Sequence, residues 1–247
     1  GSAASQAWWP AGTETTVDQR IAEAWRGTPV RGPPPGVASA LGNDGRTTIY
    51  QVSVVDGPDG FDVSISTQQV AAVNNRGFAA ADAHGAGSAT STGDLARTSI
   101  HQVSVVVLRG TGTASVVQNA SVDNLGVGVA ASAGPANATS VGNASSTTVN
   151  QTAVVLILGS GDATLTQSTG VTNAGVATAM ALDRPAAATG STATTDVTQL
   201  AVLVVHDDDV TAQQSSTTVN LGVANAGGGT AVGNNSTNTV TQTTVRH

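Results

Sequence analysis

The chain has 247 residues and a formal net charge of −7, and it contains no cysteine and no lysine. A negative chain without a basic stripe is not expected to bind nucleic acid, and a chain without cysteine has neither disulfides nor thiolate metal sites. No apolar run is long enough for a membrane-spanning helix. Only 2% of the residues are aromatic, so a thick globular core is not expected, while the valine-rich runs are too apolar for disorder.

The first predicted unit is an N-terminal arm over residues 1–44, which differs in composition from the rest. It holds all three tryptophans, both glutamates and five of the eight prolines. Residues 16–27 are predicted to form a short helix, with Asp18 as N-cap and Gly27 as C-cap, followed by a stiff Pro-rich linker. We expect this arm either to cap the first repeat or to dock on a neighbouring subunit. Because residues 15–19 resemble residues 147–151, docking could occur by strand addition.

Residues 45–247 carry two motifs that recur with one period. The first is a glutamine in a valine-rich strand, and the glutamines are 51, 49, 48 and 43 residues apart, at Gln51, Gln102, Gln151, Gln199 and the truncated copy at Gln242. The second is Gln-x5-Asn-x-Gly with spacings of 49, 49 and 47, at Gln69/Asn75, Gln118/Asn124, Gln167/Asn173 and Gln214/Asn220. Gly, Pro and Asp between the motifs are typical of turns. This part is therefore predicted to be an all-β solenoid of about four repeats of about 49 residues.

Alternation along each strand sorts the repeated positions into two faces. Counted from the second glutamine, the even positions hold small aliphatic residues together with the repeated Gln, Asn and Gly, and they are predicted to point inward. Identical amides one rung apart can then hydrogen-bond along the solenoid axis. We expect about two rungs per repeat, each of two short strands, with one wide four-strand rung as the alternative.

The first strand of each repeat also predicts an outward apolar stripe. Its central column is Val54, Val105, Val154 and Val202, and Val107, Leu156 and Val204 lie beside it. Monomers rarely expose a large contiguous apolar surface. We therefore expect the stripe to form an assembly surface, covered by another copy or by the arm with Trp8, Trp9 and Trp25.

The recurring Gln and Asn pairs of the second motif, over residues 45–247, resemble the curlin repeat of bacterial curli fibres. The spacing from Gln to Asn is one residue longer here, Gly follows Asn where curlin has Ala, and the period is about twice as long. The resemblance implies a secreted, amyloid-like fibre subunit of a biofilm matrix. The lysine-free composition, rich in Ala, Val and Arg, suggests a bacterial source.

The repeats offer little for catalysis or for cofactor binding. Residues 206–209, His-Asp-Asp-Asp, have cation-binding chemistry, but the other repeats lack them, so a solvated acidic turn is expected. No catalytic triad, carboxylate pair or phosphate-binding loop is present, and we expect neither an enzyme nor a cofactor.

Three functions remain compatible with this pattern. The first is a self-assembling structural subunit of a filament or matrix, secreted or on the cell surface, whose partner is another copy of itself. The second is a binding module of the adhesin or phage-fibre type. The third is an ice-binding solenoid, suggested by paired threonines such as Thr147-Thr148.

Overall fold

A computed structural model describes residues 37–57, 63–84, 86–205 and 209–247, together with the backbone of residues 8–26. The described chain consists of ten β-strands, each of 17 to 21 residues. Their bounds are β1 Trp8–Arg26, β2 Ala38–Gly57, β3 Val63–Ala83, β4 Ala89–Leu108, β5 Gly112–Ser132, β6 Ala138–Ile157, β7 Gly161–Ala181, β8 Ala186–Val205, β9 Val210–Gly227 and β10 Thr230–Arg246.

The strands alternate between two sheets, so the chain winds as a β-solenoid. Sheet A has the order β1-β3-β5-β7-β9 and sheet B the order β10-β8-β6-β4-β2, and neighbouring strands within each sheet are parallel. Gln69 pairs with Gln118 in the register of sheet A, so one turn of the coil uses one repeat. The predicted solenoid is confirmed, with five rungs of two strands each.

The predicted rung architecture is wrong. Each repeat forms one rung of two strands about 20 residues long, neither two short rungs nor a four-strand rung. The strands of sheet B continue through a Gly-Asn or similar pair, such as Gly42-Asn43, at which two successive residues are both buried. This pair interrupts the alternation without ending the strand, and it therefore acts as a local bulge rather than a turn.

The interior follows the predicted alternation and is arranged in layers across the width of the coil. Large aliphatic side chains such as Ile65 and Leu108 fill the layer beside the turn that joins sheet B to sheet A. The Gln ladders come next, followed by a second aliphatic layer that includes Ile100 and Val122, and then by Asn and Thr side chains. The hydrophobic residues of the layer at the far side are all alanines, and buried serines such as Ser91 and Ser140 share their columns.

A column of glycines in each sheet separates the polar layer from the alanine layer. A Cβ on Gly77, Gly126 or Gly175 would overlap the carbonyl oxygen of Gly93, Gly142 or Gly190 in the opposite sheet. The two backbones are therefore in direct contact at this level, which only residues without a side chain allow. The repeated glycine of the second motif thus allows the two sheets to approach more closely here than a larger residue would permit.

Residues 8–26 of the N-terminal arm form a strand, so the predicted helix over residues 16–27 is wrong. The predicted Pro-rich linker lies outside the described residues. Trp8–Arg26 forms β1, which pairs with β3 in parallel, with Thr13 opposite Gln69 and Gln19 opposite Asn75. Its ladder hydrogen bonds with β3 replace those that a helix would have supplied. The arm therefore adds the first rung of sheet A to its own solenoid, and β2 begins at Ala38, before the predicted boundary at residue 45.

Candidate functional site

Two glutamine ladders run along the interior, one in each sheet. In sheet A each Nε2 donates to the Oε1 of the preceding rung at 2.8 Å, through Gln69, Gln118, Gln167 and Gln214. In sheet B the corresponding distances are 2.6 to 2.7 Å, through Gln51, Gln102, Gln151, Gln199 and Gln242. The structure thus joins all nine of these glutamines into ladders, and six of them are wholly buried.

The second hydrogen of each ladder amide links the two sheets. Gln118 Nε2 in sheet A also donates to the Thr152 carbonyl oxygen in sheet B at 3.0 Å, and Gln102 Nε2 in sheet B donates to the Asn119 carbonyl oxygen in sheet A at 3.0 Å. The same bond recurs from Gln51 to Gln214. Each glutamine therefore fastens its rung to the next rung and to the opposite sheet.

The predicted asparagine ladder is also present, and its donors point the other way. Asn75 Nδ2 donates to Asn124 Oδ1, and Asn124 to Asn173, each at 2.7 Å, and Asn173 donates to Asn220 at 2.8 Å. These amides donate toward later rungs, whereas the glutamines donate toward earlier ones. The dipoles add within a ladder, and those of the asparagine ladder oppose those of the glutamine ladders.

A fourth polar column, which the sequence analysis did not single out, contains a buried carboxyl group. Asp94 is aligned between Asn43 and Asn143, is 0% exposed, and accepts a hydrogen bond from Asn43 Nδ2 at 2.8 Å. Its Oδ2 and the Asn143 Oδ1 have no hydrogen-bond partner. Burial raises the pKa of Asp94 to about 6, although the bond from Asn43 acts in the opposite direction. A protonated Asp94 gains an O–H donor, whereas the atoms of Asp94 and Asn143 that have no partner are both acceptors.

The outward column predicted from the first strand lies on the outer surface of sheet B, in register from rung to rung. We call it the sheet B face: Val54, Val105, Val154 and Val202, with Val107, Leu156 and Val204 beside them. Val54 is 68% exposed, and the others are half-buried by their neighbours on the same surface. Nothing in the described part of the chain covers this face.

A second outward apolar column, which the sequence analysis missed, lies on the opposite side of the solenoid. We call it the sheet A face: Phe78, Val127, Val176 and Val223, with Leu125 and Leu221 beside them. Its members are half-buried or exposed, and Val223 is 62% exposed. The signal was present in the aligned repeats, because a large apolar residue follows the repeated glycine in every copy.

The structure describes the remaining predicted residues only in part. Trp8, Trp9 and Trp25 lie in β1, in register with Ser64, Ile65 and Ala81, and their side chains are outside the described part. Residues 206–208 of the acidic turn also lie outside it. Within the described residues there is no group of three or more potential metal-ligating acidic or histidine side chains, and no helix there could cross a membrane.

The chain finds no match among protein-family models, among curated proteins or among solved structures.

Proposed function

We propose that this chain is the structural subunit of an extracellular filament or matrix that assembles through its two outer apolar faces. The single observation that carries the proposal is the pair of uncovered apolar columns on opposite sheets. Each column continues over four rungs in register. Contiguous apolar surface of this kind is typical of protein interfaces, and its burial is favourable by about 25 cal/mol per Å².

The position of the two faces favours open-ended assembly over a closed dimer. One self-complementary face produces a dimer and stops there. Two different faces on opposite sides allow each subunit to bind one neighbour on either side, and such a contact continues unless the rotation closes a ring. The parallel sheets repeat the same register from rung to rung, and lamination requires such a regular surface.

The interior supports a mechanical role for the same subunit. The ladders tie every rung to the next and each sheet to the other, so the solenoid resists shear along its axis and separation of its sheets. Stacked amides of this kind also underlie the resemblance to curlin repeats, in which identical side chains form columns.

Lateral contact is favoured over end-to-end stacking by one residue of the last rung. Arg246 is aligned with Leu203, in the inward column that also holds Val106 and Val155. A further rung stacked directly on β10 would bury this guanidinium without a described carboxylate beside it, which is costly. Inward-pointing charge is a known means of protecting a sheet edge.

Electron microscopy and sedimentation of the purified protein test the proposal. We expect fibres or sheets at high concentration, and fewer of them when Val54, Val105, Val154 and Val202 are all replaced by threonine. Val→Thr keeps the side-chain shape and the strand preference while adding a hydroxyl group. Replacement of Ser66, Ser115 and Thr164 by alanine on a polar outward column is the matched control and should leave assembly unchanged.

The two faces make separable predictions. Removing the sheet A face by the same Val→Thr change at Val127, Val176 and Val223 should also block growth, leaving at most small closed oligomers. Dispersed monomers under all conditions would contradict the proposal, and so would a closed trimer, which an adhesin-type module could form. Assembly that is unchanged by both sets of Val→Thr substitutions would also contradict the proposal.

A further inference from the structure

The outer surface of β2 and β4 carries a compact polar cluster beside the sheet B face. Three outward positions are in register across the two strands: Arg46 with Arg97, Thr48 with Ser99, and Tyr50 with His101. The two arginines, Thr48 and Tyr50 are exposed. None of these residues contributes to the interior, so fold stability does not explain their presence.

The two arginines are like charges side by side on the outer surface, and Asp44 lies two residues from Arg46 on the same face of β2. They occupy directly opposite positions on neighbouring strands, where like charges destabilise a sheet. No described carboxylate forms an ion pair with either of them, whereas Arg109, just after the end of β4, is paired with Asp56 at 2.9 Å. Each guanidinium group carries a planar fork of N–H donors, and such a fork suits a carboxylate or another oxyanion.

The surface beside the arginines is a shallow groove rich in hydroxyl groups. Its volume is about 230 Å³, and hydroxyl-bearing side chains from three successive rungs line it together with both arginines, namely Thr48, Ser99, Ser146 and Thr148. Hydroxyl groups both donate and accept hydrogen bonds. The groove therefore suits a ligand that combines a negative charge with many hydroxyl groups.

An exposed aromatic ring stands next to this groove. Tyr50 is 71% exposed and stacks on His101, with ring centroids 4.8 Å apart and ring planes 7° apart. His101 is held in place by Ser99 Oγ at 2.9 Å and Asn150 Nδ2 at 3.3 Å. Because β2 is the edge strand of sheet B, no described strand faces the other side of the Tyr50 ring. An aromatic face carries partial negative charge and attracts the weakly positive C–H groups of a sugar ring.

We propose that this site binds an acidic polysaccharide whose sugars carry carboxylate groups. Its residues are Arg46, Arg97, Tyr50 and the hydroxyl row, namely Thr48, Ser99, Ser146 and Thr148. The arginines bind the carboxylates, the hydroxyl row bonds to the sugar hydroxyls, and Tyr50 stacks on one sugar ring. Single-stranded nucleic acid is the less suitable partner, since its sites combine an extended basic groove with several stacking aromatics. Here there are two cations and one exposed tyrosine, on a chain with a net charge of −7.

Calorimetric titration with an oligogalacturonate tests this site, with a neutral oligosaccharide of equal length and a single-stranded DNA oligomer as comparison ligands. We expect binding of the oligogalacturonate at low ionic strength and no comparable binding of the neutral sugar. The double variant R46Q/R97Q should bind at least about tenfold more weakly, because charged hydrogen bonds are lost. Tyr50→Leu, which keeps apolar surface but removes the ring, should also weaken binding several-fold.

Arg184→Gln is the matched control, because it removes one positive charge from an exposed position outside the site and should leave binding unchanged. If R46Q/R97Q fails to fold, R46K/R97K keeps the charge but removes the paired donors, and it should still weaken binding. Absence of oligogalacturonate binding, an equal loss in Arg184→Gln, or tighter binding of the DNA oligomer at the same residues would overturn the proposal. The titration uses dispersed protein, so its outcome is independent of whether the chain assembles.

Discussion

Replacing Asp94 by asparagine is expected to stabilise the protein at neutral pH. The carboxyl is 0% exposed, and burial raises its pKa from 3.8 to about 6. A difference of about two units between the pKa values of the folded and unfolded states corresponds to about 3 kcal/mol, at about 1.36 kcal/mol per unit. Ionised Asp94 therefore costs the fold about 3 kcal/mol, and the neutral amide of Asp94→Asn avoids that cost. Its new N–H group can also donate to Asn143 Oδ1, which has no partner.

The pH dependence of this effect has a definite sign. Below pH 3.8 the carboxyl is protonated in both the unfolded and the folded state, so the wild-type protein carries no penalty there. Between pH 3.8 and about 6 the unfolded chain ionises while the folded chain retains its proton, and the wild-type protein loses stability as the pH rises. Above about 6 the full penalty applies. The stability gap between Asp94→Asn and wild type should therefore open across this interval and then remain constant.

Urea unfolding followed by circular dichroism, at pH values on both sides of this interval, measures the gap. Asp123→Asn is the matched control, because Asp123 is exposed on the outer surface of β5, and surface substitutions usually change stability by less than about 0.5 kcal/mol. The reasoning is refuted if Asp94→Asn is no more stable than wild type at neutral pH. It is also refuted if the gap is the same at every pH.

Two further substitutions test the interior by the same unfolding measurement. Gly126→Ala should destabilise the protein by about 3 kcal/mol or more, since its Cβ would overlap the Gly142 carbonyl oxygen and force two backbones apart. Gly170→Ala, with open space around its Cβ, should stabilise the protein by up to about 1 kcal/mol. A larger destabilisation by Gly170→Ala than by Gly126→Ala would contradict the glycine contact. Gln118→Leu should cost at least about 3 kcal/mol, because three hydrogen bonds, two of them buried, lose a partner at about 1–3 kcal/mol each. Gln68→Leu on the exposed face should change little, and equal effects of the two substitutions would mean that the ladder is not stabilising.

The repeat period, the inward face and the amide columns could be predicted from the sequence because each rung repeats the same residues. Gln118 and Gln167 are 49 residues apart, and so are Asn124 and Asn173. When two motifs share a period, only stacked rungs place all of their members next to their own kind. The inward face then follows from alternation alone.

The rung width and the N-terminal helix could not be predicted, because tertiary contacts decide both. A glycine beside asparagine, as in Gly142-Asn143, is typical of a turn, and only the structure reveals that the opposite backbone approaches at this point. Likewise Ile21, Ala24 and Trp25 have helical spacing, but the edge of β3 offers this segment a row of hydrogen-bonding partners. Local preference is weak against such pairing.

The sheet A face and the Arg46 cluster were missed for a different reason. The Arg46 cluster depends on which outward positions of neighbouring rungs are adjacent, and the pairing of Tyr50 with His101 becomes visible only in the register of the sheets. The columns of this cluster hold unlike residues in most rungs and carry no repeat signal, whereas the apolar residue of the sheet A face follows the repeated glycine in every copy.

The buried amides also explain how this chain selects one register. Most inward columns hold Ala, Val or Thr, and a slip of two residues between rungs would exchange one small side chain for another at little cost. Such a slip would place Gln118 opposite Thr67 or Ala71 instead of Gln69, and its amide would lose the bond that the ladder supplies. An unsatisfied buried amide costs about 1–3 kcal/mol, and the cost recurs at every rung of three ladders. The polar columns therefore supply the specificity that a uniform apolar interior would lack.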